Sequence, residues 1–437
     1  MYLRLVLLAG LSLAAAPAPA VARSAVPVGD FSVSVAPGAA ATVAGHPVSA
    51  RVITATTSGP AQQVGLAITN LPAGVFAVFT PGTVTSGSSA VLSVRTSISA
   101  RAGTYRLTVV AAGAAVRREA TLLLTVTAAP VIRAAFYYPW FPQAWNQQGL
   151  DPYTNYRPTR GLYSVDETVV RQQVADMRYG GITLGIASWF GTGTDTDRHW
   201  PAIVRGAQDT GFAWAPYYEA EGRSDPSPDR IATDLHYLRA SYGGDRSALA
   251  VLPGRGMVVF VYNAGDLTTA QGCGTVDRWN RARSLLRQRY GETIYLSLKV
   301  FPGYAGCPGT PAVDGWHQYG PARPEADFSR APGAGSYTIS PGFWKAGLPY
   351  TRAPFLSRDL VRWTAGITRM NASGARWQLV TTYNEWGEGT AVESSSGCRG
   401  PAPAGALCDW SGGGRSLFVQ ALHAQLPPGS AGAAARR

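Results

Sequence analysis

From Val131 onward, eight short apolar runs recur along the chain, and most are followed by a stretch with helical spacing. The runs are VIRAAFYYPW, GITLGIASWF, GFAWAPYYE, GMVVFVYN, ETIYLSLKV, AVDGWHQY, GSYTISPGFW and RWQLVTTYNEW. Between them the spacing predicts helices over 167–179, near 201–209, near 229–240, over 276–289 and over 357–370, with a closing helix near 416–425. Strands apolar on both faces suit a parallel sheet covered by helices, because each strand is then buried on both sides. Eight such units over about 300 residues predict an α/β fold of the (β/α)8 barrel type, spanning 131–428. An open doubly wound sheet is the alternative. It calls for a glycine-rich phosphate turn after the first strand, and here that strand ends in YYPWFPQAW.

Residues 29–128 follow a different rule. FSVSV, VGLAITN, AVLSVRT, GTYRLTVVA and EATLLLTVT alternate apolar and polar positions, with Gly, Pro, Ser and Asn between them. A period of two at regular spacing predicts a small all-β sandwich of roughly 100 residues. It holds no cysteine or tryptophan, and its one histidine is His46. Attachment to a wall or polymer and a plain spacer role are both open; the lack of an aromatic strip favours the spacer.

At the N-terminus, Arg4 precedes the apolar stretch 5–16, and small residues follow as far as Ala20-Val21-Ala22. This is the pattern of a secretory signal peptide over 1–22, so the mature protein is expected outside the cell. No later segment reaches the length of a membrane span, and none is expected. In an oxidising compartment the four cysteines are expected to pair as Cys273–Cys307 and Cys398–Cys408, although three connectivities are possible. None of the five histidines sits at ligand spacing from them, so neither a metal nor a cofactor is expected. The net charge is +12, but 36 of the 38 basic residues are arginines scattered without a stripe. That excludes a nucleic-acid partner and leaves a general affinity for an anionic wall or polymer.

In barrels of this type the reactive groups sit at the C-terminal ends of the strands. Those ends carry Tyr138 and Trp140, Trp189, Tyr218 and Glu219, Tyr262, Lys299, His317, and finally Asn384, Glu385, Trp386 and Glu388. Aromatic faces stack on the C–H faces of sugar rings, while carboxylates and amides bond their hydroxyls, so the expected partner is a polysaccharide or glycan. Glycoside hydrolysis needs two carboxyl groups beside one bond. Glu385 and Glu388 are three apart at one strand end, and Trp386 between them is expected to raise a pKa by desolvation. Glu393 is expected to be surface or structural. The sequence has no G-x-S-x-G, phosphate-binding loop, H-E-x-x-H or dinucleotide fingerprint.

The stretches AFYYPWF, GLYSVDETVVRQQVADMRYGGITLGIASWFG, APYYEAEG, MVVFVYN, VDGWHQYG and TTYNEWGEGTAVE resemble glycoside hydrolase family 99, the endo-α-mannosidases, and bacterial 71/99-like relatives. The resemblance covers most of 131–393. It implies a metal-independent barrel hydrolase that cleaves α-mannosidic bonds within chains, with retention. It assigns Glu385 as the base on the sugar 2-hydroxyl and Glu388 as the acid, with a 1,2-anhydro intermediate between them. It makes Glu219 a substrate contact and puts Tyr138, Trp189, Tyr262 and His317 along the subsites. Two departures stand out: PQAWNQQGLDPYTNY replaces a histidine–tryptophan element, and Gly387 stands where many members carry histidine. An α-1,3-glucanase-like hydrolase and a catalytically silent sugar-binding barrel are the alternatives. LPAGVFAVFTPGTV and SARAGTYRLTV resemble bacterial immunoglobulin-like modules of secreted enzymes.

Overall fold

The computed structural model describes residues 29–96, 100–128, 130–221, 224–244, 247–262, 268–322, 335–348 and 354–427. The expected signal peptide, 1–22, and the expected end of the barrel, residue 428, lie outside the described residues.

The N-terminal strands form two sheets. One is antiparallel, in the order Asp30–Ala36, Pro47–Ser58, Ser89–Thr96, Val75–Thr80. The other runs Ala39–Val43, Arg117–Thr127, Gly103–Ala112, Gln63–Thr69, Thr83–Thr85, with its first pair parallel. Alternation along the strands buries Val52, Leu92 and Val94 of one sheet against Leu107, Leu122 and Leu124 of the other.

The eight apolar runs form eight parallel barrel strands. In chain order they are strand 1 (Ile132–Tyr137), strand 2 (Leu184–Trp189), strand 3 (Ala213–Tyr218), strand 4 (Gly256–Val261), strand 5 (Ile294–Lys299), strand 6 (Gly315–His317), strand 7 (Ser336–Ile339) and strand 8 (Trp377–Val380). Backbone ladders join them in the order 6-5-4-3-2-1-8-7. The remaining seam, between strands 6 and 7, is closed by side chains. Ser336 Oγ donates to Trp316 O (2.7 Å), Thr338 Oγ1 to Gln318 O (2.7 Å) and Ser340 Oγ to Pro321 O (3.0 Å). In SYTIS the hydroxyls fall at every second residue, so all three face the same neighbour.

Helices Glu167–Tyr179, Asp195–Ala207, Pro228–Tyr242, Thr269–Tyr290, Leu360–Ala372 and Leu417–Ala424 cover the barrel. Two begin earlier than their spacing predicts. The helix expected from Pro201 starts at Asp195, because the Thr194 hydroxyl caps it and the proline is accommodated inside. The helix expected from Val276 starts at Thr269, where Thr268 and Gln271 form a reciprocal capping box that outweighs the weak propensity of Gly272 and Gly274. Cys273–Cys307 then ties this helix to the loop after strand 5.

Alternation along each strand separates two cores. Ala134, Phe136, Ile186, Tyr217, Phe260, Tyr295, Trp377 and Leu379 fill the barrel, while Tyr137, Trp189, Trp214, Tyr218 and Val259 face the helices. At the N-terminal rim Arg255 donates to the Gly45 carbonyl and to Asp314 (2.8 Å), which joins the sandwich to the barrel at the end away from the strand C-termini. Among the described residues no helix is long and apolar enough to cross a membrane.

Thr338→Val keeps the shape of this fully buried side chain and strips the Gln318 carbonyl of its donor. The unfolding free energy is expected to fall by about 1–3 kcal/mol, read as a lower denaturation midpoint.

Candidate active site

The strand 1–strand 8 ladder ends at Ala135 and Val380, and beyond it the chain turns through Asn384 to Glu388. Asn384 extends the pairing with its side chain. Its Oδ1 accepts from Tyr138 N (2.8 Å) and its Nδ2 donates to Tyr138 O (3.0 Å), so the amide acts as one more peptide unit between the two strands. Asn384, expected to bind substrate, is fully buried and spends its amide on the Tyr138 backbone and the Tyr163 hydroxyl (3.3 Å).

The turn is braced from behind. Trp386 is fully buried, lies parallel to Trp410 and donates from Nε1 to Glu393 (3.2 Å). Glu393 also accepts from Tyr163 OH (2.8 Å), Gln173 Nε2 (3.0 Å) and Arg160 Nε (3.1 Å). Trp386 is therefore a support and not a wall between the acids, and Glu393 is a buried anchor. A cavity of about 220 Å³ lies on this rear side, lined by Arg160, Asp176, Glu393 and Arg415 and by neither Glu385 nor Glu388.

Both acids are held by the turn itself. Glu385 Oε1 accepts from Glu388 N (3.0 Å), with the Gly387 N–H as a further donor. Glu388 Oε2 accepts from Tyr319 OH (2.9 Å). Gly387 is required by space, since a Cβ there would stand 2.5 Å from a Tyr153 ring carbon and 3.1 Å from Glu385 Oε1. Burial raises Glu385 well above the ordinary carboxylate range, and the charges of Glu388 and Glu219 add to the effect; its two backbone donors oppose it. Burial also raises Glu388, against the Tyr319 hydroxyl and the ammonium groups of Lys345 and Lys299. Two raised carboxyls on one turn, one acting on the other, are expected to ionise in sequence, so one proton is shared across the intermediate pH range.

Aromatic side chains wall the mouth. Trp140 is half-buried and stacks on Tyr138, with centroids 4.4 Å apart at 22°. Tyr262 lies 6.4 Å from Tyr319, and Lys299 Nζ sits 4.4 Å above the Tyr262 ring. Glu219, at the end of strand 3, acts electrostatically on Tyr138 and Glu385. The structure thus brings Glu385, Glu388, Tyr138, Trp140, Glu219 and Tyr262 together. Three other expected subsite residues are placed away from the acid pair's mouth. Trp189 turns outward and donates to Asp197 of the covering helix (2.9 Å). Tyr218 does the same toward Asp234 (2.8 Å). His317 lies inside the barrel beside Phe260 and Phe136, bonded to Ser297 Oγ (3.1 Å), and burial pushes its imidazole down to about 3.

The sequence reading missed Tyr319, Tyr153 and the inward role of Tyr217. Tyr217 and Tyr153 bury hydroxyls that make no hydrogen bond among the described residues, although the Gln148 amide lies beside Tyr153. For Tyr217 and Tyr319 alternation gives a partial signal, since it fixes which residues share a face but not which face is the interior. Each is two residues from another barrel-facing position, Tyr217 from Ala215 and Tyr319 from His317, and alternation carries the same face forward.

No protein-family model matches the chain, and no curated protein matches it. Solved structures do. The family 99 endo-α-mannosidase from Bacteroides thetaiotaomicron superposes with a TM-score of 0.51 at 16% identity, covering 67% of this chain and 96% of that one. The same enzyme in complex with Bis-Tris-propane gives 0.52 at 16% identity, covering 67% and 95%. A family 123 glycoside hydrolase from Clostridium perfringens aligns over 90% of this chain and 87% of its own at 10% identity, but its TM-score of 0.34 is too loose to bear on the fold. At this identity the likeness shows the (β/α)8 barrel fold.

The raised acids make a stability prediction. Each binds its proton more tightly in the folded than in the unfolded chain, so folding is penalised as pH rises above the ordinary glutamate range. Glu385→Gln removes that penalty and keeps an acceptor for the Glu388 amide. Its melting temperature is expected to exceed the parent's by several degrees at pH 8, and the two are expected to converge near pH 4.

Proposed function

We propose that this protein is a secreted glycoside hydrolase that cuts α-linked glycans within the chain, with α-mannosidic bonds the first choice. The observation that carries the reading is the pair of buried Glu385 and half-buried Glu388, on one turn at the C-terminal end of the barrel beside stacked Tyr138 and Trp140. Binding a sugar would not call for two carboxyls that cost stability when ionised; acid–base chemistry does. The barrel's likeness to an endo-α-mannosidase supports the same class. The disulfides Cys273–Cys307 and Cys398–Cys408 and the N-terminal leader pattern support export. The N-terminal sandwich, immunoglobulin-like by its sequence pattern, serves as a spacer.

Glu385 takes the proton of the 2-hydroxyl while O2 attacks C1 and expels the glycosidic oxygen. Glu388 gives its proton to that oxygen. The C1–O2 bond closes a 1,2-anhydro ring as the C1–aglycone bond breaks. Glu388, now a carboxylate, then takes a proton from water as the water oxygen attacks C1. O2 leaves C1 and recovers its proton from Glu385, so configuration is retained. The competent pair holds one proton, which gives a bell-shaped pH–rate profile.

Purified protein incubated with α-mannan, α-1,3-glucan and arabinan is expected to release oligosaccharides from the α-mannan. Glu388→Gln is expected to slow release by about 10²–10⁴-fold. Cleavage of α-1,3-glucan instead would move the substrate assignment, and binding without cleavage by either protein would leave a silent barrel. Substrates deoxygenated at position 2 of the cleaved residue are expected to stay intact while still binding, because no 1,2-anhydro ring can close.

A further inference from the structure

The chain has 38 basic side chains, and only Lys299 and Lys345 are lysines. Both sit at the barrel mouth. Lys299 ends strand 5, is 9% exposed and holds its ammonium above the Tyr262 ring. Lys345 is half-buried on the loop after strand 7, and the backbone on either side of it is pinned to the acid turn. Trp344 N donates to Glu388 O (3.0 Å) and Ala346 N to Gly387 O (2.7 Å). Both ammonium groups act on the Glu388 carboxylate.

Lysine in place of arginine has a physical meaning here. An arginine fork would lock onto a carboxylate through two parallel hydrogen bonds and take an acid out of use. An ammonium is a compact point charge whose three donors can turn toward an incoming group. Two cations beside Glu388 also create a conflict under the hydrolase reading, since positive charge holds a carboxyl ionised and opposes its service as an acid. A negative charge brought by the ligand resolves the conflict. Once it pairs with the ammonium groups, their pull on Glu388 weakens and burial holds its proton more firmly. The mouth does not repel such a ligand: with one proton on the acid pair, the carboxylates left, counting Glu219, balance the two lysines.

We infer that Lys299 and Lys345 form a subsite for an anionic group, a phosphate or a carboxylate, carried by the glycan next to the bond that is cut. The inference rests on the hydrolase reading for its purpose and on the placement of the two lysines for its chemistry. Neutral glycans would bind the same mouth without filling this subsite.

Titration calorimetry with D-mannose 6-phosphate against D-mannose, and with D-glucuronate against D-glucose, tests it and separates phosphate from carboxylate. At low salt at least one acidic sugar is expected to bind about tenfold or more tighter than its neutral parent. The advantage is expected to shrink as salt is raised. It is expected to vanish in the Lys299→Gln, Lys345→Gln double variant and to persist in Lys345→Arg. Should Lys299→Gln prevent folding, Lys345→Gln alone is expected to lose several-fold of the preference. Equal affinities within each pair, no measurable binding of either acidic sugar, or a preference that survives in the double variant would overturn the inference. If neutral α-mannan is cut and the acidic sugars gain nothing, the inference falls while the hydrolase reading stands. If acidic sugars are preferred but no glycan is cut, the reading falls and the lysine subsite stands.

Discussion

The side-chain amide of Asn384, bonded through both its atoms to the Tyr138 backbone, is the joint on which the site depends. Strands 1 and 8 stop pairing at Ala135 and Val380, and without a further link the turn beyond them would be a free loop. The amide supplies that link where the chains diverge. Immediately after it come Glu385 and Glu388, whose spacing lets the amide of one acid donate to the carboxyl of the other. Glu393 and Trp386 fix the rear of the same turn. The acids therefore sit on backbone that is held from two sides, which under the proposed function leaves the site little to reorganise when charge develops.

Under the proposed hydrolase function, this arrangement trades stability for chemistry. Desolvating two carboxyls on one turn is unfavourable, and backbone donors at Glu385 and the Tyr319 hydroxyl at Glu388 offset only part of it. The surrounding fold carries the remainder. The barrel has one seam without a backbone ladder, and three hydroxyls of strand 7 close it. Strand 6 at that seam leads into Tyr319, which holds Glu388, so the weakest joint of the barrel is tied to the acid turn through one phenol. The sandwich is attached at the opposite rim through Arg255, which leaves the mouth clear.

Much of the fold was legible because strand and helix periods differ and because short runs between capping and turn residues leave few other readings. All eight runs became barrel strands, and both cysteine pairs formed as expected. The acid pair stood out because carboxylates are sparse in this chain and two fell at one strand end. Which aromatic side chains face the mouth was not legible. The strands are apolar on both sides, so alternation says that Tyr217 and Tyr218 point apart without saying which points inward. Trp189 and Tyr218 were assigned to the mouth on their position along the strand, and they belong to the helix layer.

The amino-acid sequence by itself determined the element order, the alternation of faces and the placement of Glu385, Asn384 and Glu388 on one short turn, since these follow from local spacing. Tertiary structure alone decided which face is the interior, because that depends on how the sheet closes. Closure also brings Tyr319 from strand 6, Tyr153 from the loop after strand 1, and Lys299 and Lys345 from strand 5 and the loop after strand 7 to the same two carboxyls. Those residues are far apart along the chain, and local spacing carries no information about contacts that only barrel closure creates.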